Sequence, residues 1–197
     1  DSCFKSLKKL KEKQISKKLR ILMITTPFYE HGWWSKKERD TIIKSIVQEI
    51  IKHKDYHLTI KIHPSSENFS EYQSLINSID PRIPLFQKGD ILKFLEDTDL
   101  VISFITSEAV LSSLFSEKPI VFFNAGQYKN TLLVDRGLVS ECNSIHSLSS
   151  VIDSSHSNFL IKKKNIDIFI EDYFFKSDGL ASERITKKIL ELLKNKY

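Results

Sequence analysis

Arg20-Ile21-Leu22-Met23-Ile24-Thr25-Thr26-Pro27 is a near-continuous apolar run that stops at two hydroxyls and a proline. Alternation of apolar and polar residues marks a strand with one wet face. A run without alternation marks a strand covered on both faces, as the strands of parallel sheets are. Further apolar runs follow at residues 99–104 and 118–123, an alternating one over 57–63 (Leu58, Ile60, Ile62), and briefer ones at 85–86, framed by Pro81 and Pro84, and near 138–139.

Helical periodicity fills the spaces between them. Ile42, Ile43, Ile46, Val47, Ile50 and Ile51 share one face of a helix that Ser35 is placed to cap. Shorter helices are expected over residues 67–79, over 91–96 behind an Asp90 cap, from Thr106-Ser107 through 115, and weakly around 147–152. Residues 159–175 read as mixed, and a last helix runs over about 179–193 with Ile185, Ile189, Leu192 and Leu193 together. Strands alternating with helices of this length predict an α/β fold: a Rossmann-like, doubly wound, mostly parallel sheet with helices on both faces. The expected division is a basic linker or helix over residues 1–19 and one domain over 20–197.

At 197 residues, 41% hydrophobic and with 13 Phe, the chain can bury a sizeable core and is not compositionally disordered. No apolar run reaches the roughly 20 residues of a membrane-spanning helix, and no signal-peptide pattern is present. Two Cys without paired Cys/His spacing argue against a disulfide scaffold and a zinc site, so a cytoplasmic setting is expected. His53 and His57 are four apart but straddle a turn, so no metal site is expected. Much of the positive charge falls in segment 5–20, which reads either as a solvated helical face or as a peripheral contact with anionic lipid. It lacks the interleaved aromatics of a single-strand platform, so no nucleic-acid partner is expected. The chain begins at Asp1, and residues upstream are expected to be missing.

Five glycines include neither G-x-G-x-x-G after the first strand nor a phosphate loop ending in G-K-[ST], and no G-x-S-x-G elbow occurs. The sequence thus gives no motif support to nicotinamide redox chemistry, phosphate-loop hydrolysis or serine hydrolysis. What remains is a set of polar residues at strand ends, where open α/β sheets bind ligands. Lys61-Ile62-His63-Pro64 puts a cation and a titratable ring at one such end, although His63 also reads as a solvated loop residue. Thr106-Ser107 opens a helix, where two hydroxyls and the positive dipole end favour an anion; simple capping is the alternative. Asp178 through Arg184 starts the last helix, as a cap and a solvated pair or as part of a site.

In order and spacing these segments resemble the carboxyl-terminal half of a GT-B-type transferase, most nearly the CDP-glycerol glycerophosphotransferase (teichoic-acid polymerase) family, from Ile21 to about Leu190. The His-Pro step also resembles one in bacterial sialyltransferases that use a CMP-linked donor. The resemblance implies a domain that binds a nucleotide-linked donor (CDP-, CMP- or UDP-type) as substrate, with no cofactor, for making a surface polysaccharide or teichoic-acid-like polymer. It implies that His63 contacts or protonates the departing phosphate, and that Thr25, Thr26, Lys61, Thr106, Ser107, Glu108 and Arg184 help to bind the donor. It also implies a missing amino-terminal acceptor domain, without which the chain does not complete a turnover. Where family members often carry an acidic residue just before the hydroxyl pair, this chain has Phe104-Ile105. The rival readings are a UDP-N-acetylglucosamine 2-epimerase-like isomerase, whose usual Ser-Gly-Gly turn is lacking over 106–113, and a non-catalytic binding module derived from a transferase half.

Overall fold

The structure is a computed structural model that describes residues 18–125, 131–174, 176 and 178–194. The expectation for residues 1–17, which include most of the basic segment, and for Gly126 lies outside the described residues. Six strands form one sheet: β1 (Leu19–Ile24), β2 (Tyr56–Lys61), β3 (Leu85–Phe86), β4 (Leu100–Ser103), β5 (Ile120–Phe123) and β6 (Ser140–Cys142). Their order is β3-β2-β1-β4-β5-β6, and every pairing is parallel. The Rossmann-like, doubly wound architecture is therefore as expected.

Among the described residues there are eight α-helices: α1 (Lys36–Ile51), α2 (Phe69–Asn77), α3 (Ile91–Glu96), α4 (Glu108–Phe115), α5 (Thr131–Asp135), α6 (Leu148–Ser157), α7 (Phe159–Phe174) and α8 (Ala181–Lys194). The strand pleat sends alternate side chains to opposite faces. Ile21 and Met23 of β1 join a core built with α1, α2 and α6, whereas Leu22 and Ile24 join a second core with α3, α4, α5 and α7. All four are buried, which is why the run shows no alternation.

Local chemistry sets the helix starts. Ser35 and Glu38 cap α1 reciprocally, each satisfying the other's backbone N–H. Asn68 caps α2, Asp90 caps α3 and Ser107 caps α4. Of the six-residue apolar face read on α1, Ile43, Ile46, Val47 and Ile50 are buried, while Ile51 faces solvent.

Three expectations are corrected. The mixed stretch beginning at 159 is a single 16-residue helix, α7, in which only Ile166 and Phe169 are buried. The strand expected near 138–139 starts at Ser140, because the β5 ladder first meets it there; Leu138 and Val139 are buried in the approach to it. The weak helix at 147–152 continues to Ser157. On α8 the apolar face forms as read, but Ile185, Ile189, Leu192 and Leu193 are all more than half exposed. Among the described residues, no helix is long and apolar enough to cross a membrane.

At the amino ends of the two central strands, Asp99 receives three bonds from Arg20: its backbone N–H and Nε at 2.9 Å to Oδ2, and Nη2 at 2.6 Å to Oδ1. Burial pushes the Asp99 carboxyl up, but the Arg20 bonds outweigh it and hold the group below its ordinary value. A depressed carboxyl contributes stability that is present above the unfolded-state value and is lost as pH falls through the folded one. Asp99→Asn is expected to destabilise the fold by about 1–3 kcal/mol near neutral pH. Urea unfolding should show the gap to the parent protein closing in acid; a gap independent of pH would contradict this.

Candidate functional site

Ligands of open α/β sheets bind where successive connections leave the sheet in opposite directions, because the diverging loops leave a crevice. Here the chain adds β2 and β3 on one side of β1, then crosses to add β4 on the other. A cleft of about 500 Å³ opens at the carboxyl ends of these strands, within the roughly 300–1,000 Å³ of small-molecule sites.

Four connections build it. The β1–α1 loop supplies Thr25, Thr26, His31 and Trp33; the exit of β2 supplies Lys61, His63 and Pro64; the β4–α4 connection supplies Ile105, Ser107 and Glu108. Gly89 closes the β3–α3 side at φ +109°, a conformation that L side chains rarely adopt. A Cβ there would also come within 3.0 Å of the Phe94 ring. Trp33 stacks on Phe28 with ring centroids 5.5 Å apart and remains 48% exposed, so an aromatic surface faces the cleft. The loop bearing it is anchored by Arg39, which is 2% exposed. Its guanidinium bonds Glu71 and Asp40 at 2.8 Å and lies over Tyr29 at 4.9 Å.

Lys61 is buried beneath the rim. Its Nζ donates to the Gln87 carbonyl at 3.0 Å and lies 5.6 Å from the Phe94 ring centroid. Burial lowers its pKa below the ordinary lysine value. The ring of His63 is oriented by its own turn: Nδ1 accepts the Ser66 and Ser65 backbone N–H groups at 3.3 and 3.4 Å. With Nδ1 an acceptor, the neutral ring carries its hydrogen on Nε2. Ser107 caps α4 by accepting the Val110 N–H at 3.3 Å, and the positive end of the α4 dipole meets the cleft through Ser107, Glu108 and Ala109.

The structure thus brings Thr25, Thr26, Lys61, His63, Ser107 and Glu108 to one cleft. Thr25 is there as scaffold as well, for it is buried and its hydroxyl donates to Glu67. Thr106 is exposed between two lining residues without lining the cleft itself. Arg184 is not brought there: on α8 its Nη1 holds both carboxylate oxygens of Asp178, at 2.7 and 2.8 Å, at the start of that helix. Sequence reasoning missed His31 and Trp33, which lie between the first strand and the Ser35 cap, and Glu67, which it placed at the start of a helix. Among the described residues, no group of three or more His, Cys, Asp or Glu side chains is placed to share a metal ion.

No known protein family and no curated protein matches the sequence. Solved structures do match. The glycosyltransferase SnogD from Streptomyces nogalater superposes with a TM-score of 0.53 at 13% identity, over 78% of this chain and 40% of that one. MnaA of S. aureus, in a co-structure with UDP, gives 0.57 at 17% identity over 98% and 52%. A putative UDP-N-acetylglucosamine 2-epimerase from Listeria monocytogenes gives 0.53 at 16% over 98% and 52%. The fold is the Rossmann-like α/β fold of such proteins, and the chain spans about half the length of these neighbours or less.

An ammonium beneath the cleft would support a bound anion only while charged. Because burial lowers the Lys61 value, that charge is present below the depressed pKa and is lost, as pH rises, earlier than for an exposed lysine. UDP or phosphate affinity, measured by calorimetry from neutral to alkaline pH, should fall across this range. Lys61→Met should be weaker at neutral pH and show a flatter profile. Identical profiles would remove Lys61 from the site.

Proposed function

We propose that this chain is the donor-binding half of a transferase that uses a nucleotide-linked glycosyl or polyol-phosphate donor. The observation that carries the reading is the convergence of Lys61, the Nε2–H tautomer of His63 and the start of α4 on one cleft. A cation and a fixed N–H donor at the exit of β2, facing a helix N-terminus after β4, suit a phosphate, above all one whose charge grows as the bond to the transferred group breaks. Beside them Glu108 supplies a carboxylate that can accept hydroxyls, and Trp33 an apolar face of the size of a base. The UDP held by the S. aureus neighbour is a ligand of this chemical class.

The finer assignment follows the resemblance: a CDP-, CMP- or UDP-type donor, a surface polysaccharide or teichoic-acid-like polymer as product, and an acceptor bound by a further domain. The nucleotide-linked donor serves as substrate and no other cofactor is invoked. In this account His63 contributes by donating from Nε2 to the leaving phosphate. A second reading, an isomerase of UDP-N-acetylglucosamine 2-epimerase type, is favoured by the Listeria likeness that spans 98% of this chain. It makes the same demand for a nucleotide diphosphate in this cleft.

Calorimetry with CDP, CMP, UDP and UDP-N-acetylglucosamine is expected to show binding by at least one. His63→Ala should weaken it by roughly tenfold or more, since a hydrogen bond to a charged group is worth about 1.5–3 kcal/mol. No heat with any of the four would end the proposal. Conversion of UDP-N-acetylglucosamine to its 2-epimer would select the isomerase.

A transferase acting on lipid-linked acceptors has to reach the membrane surface, and the basic segment 5–20 offers about 1 kcal/mol per lysine near an anionic leaflet. Co-sedimentation with phosphatidylglycerol vesicles is expected at low salt and should vanish at high salt. No binding at low salt would leave the segment as a linker.

A further inference from the structure

Glu67 is 3% exposed and does not line the cleft, yet the cleft's polar residues hang on it. Its Oε2 accepts the Thr25 hydroxyl at the end of β1 and the His63 backbone N–H, at 2.5 Å, at the end of β2. Its Oε1 accepts the Tyr72 hydroxyl of α2 at 2.5 Å. Its main-chain carbonyl accepts Gln87 Nε2 at 2.6 Å, just beyond β3, and the carbonyl of Gln87 accepts Lys61 Nζ. One buried carboxylate and its neighbouring amide thus tie together three strand exits and one helix.

We propose that Glu67 is the positioning residue of this site. It closes the turn from His63 to Glu67 so that the Ser65 and Ser66 amides meet Nδ1 and leave the hydrogen on Nε2. The chemistry fits the task. Three donors from three elements converge on two oxygens, and a carboxylate is the side chain that accepts all of them while donating nothing. An apolar residue of similar size would leave two hydroxyls and an amide without acceptors, and the turn would reopen to reach water. Glutamine is the informative substitute. Its Oε1 can take both the Thr25 hydroxyl and the His63 amide, and its Nε2 can donate to the Tyr72 oxygen once that hydroxyl rotates. Aspartate is one methylene too short to span the same three partners.

The role rests on the proposed donor site for its function, but its first readout does not. Long-range proton–nitrogen correlation spectra of the ligand-free chain report which ring nitrogen of His63 carries hydrogen. The parent protein and Glu67→Gln should both show Nε2–H with an unprotonated Nδ1; Glu67→Ala should show a mixture of tautomers. UDP affinity, or that of whichever nucleotide binds the parent, should stay within about threefold in Glu67→Gln and fall by roughly tenfold or more in Glu67→Ala. Should Glu67→Ala not fold, Gln87→Ala loosens the same circuit from its outer end and should give the mixed tautomers with a native circular dichroism spectrum. A folded Glu67→Ala with the parent's tautomer, or a Glu67→Gln that loses it, overturns the role. A parent protein with the fixed tautomer but no nucleotide binding would sink the function and leave the positioning intact.

Discussion

Strand β1 is bonded to a parallel neighbour on each edge and covered by a hydrophobic core on each face, and the rest of the molecule is arranged around that constraint. Such a strand must be apolar at every position, which Ile21 to Ile24 satisfy. The chain must also leave β1 toward β2 and later return to its other edge at β4. That crossing places two diverging loops at one end of the central pair and a tight join at the other. The tight end is held by Arg20 on Asp99, and the open end becomes the cleft. Where the site lies follows from topology before any polar residue is considered.

The polar residues decide what the opening can hold. A buried carboxylate next to the proposed phosphate site looks like a contradiction, but the acceptors of Glu67 are filled by protein donors. What the cleft receives is the outer side of that arrangement: the ring of His63, the buried ammonium of Lys61 and the start of α4. The negative charge is used to shape the donors. The same economy recurs one layer out, where Arg39 is enclosed by Glu71, Asp40 and two tyrosine rings and steadies the loop that carries Trp33.

The fold was legible in the sequence wherever burial was two-sided or capping was local. Unbroken apolar runs gave away the central strands, and Ser35 with Glu38 marked a helix start because both partners lie within one turn. Helix α7 was hidden because its lysines at 162–164 and scattered apolar residues show no single face, and only two of its side chains reach the core. The site was half legible. Lys61, His63 and Ser107 stand at strand ends, and a parallel sheet gathers strand ends. Glu67 was invisible as a site residue, since it stands at the start of an expected helix and its partner Thr25 lies 42 residues away. Arg184 stands apart: in the segment 178–184 it pairs with Asp178 at the start of α8, and it does not line the cleft.

The central claim is that a nucleotide phosphate sits between His63 and the start of α4. Backbone amide chemical-shift mapping of the chain titrated with UDP, CDP or CMP tests it most directly. The account predicts saturable shifts concentrated at His63, Ser107, Glu108 and Trp33, with β6 and α8 unmoved. Shifts centred away from this cleft, or none with any of the three nucleotides, would contradict it.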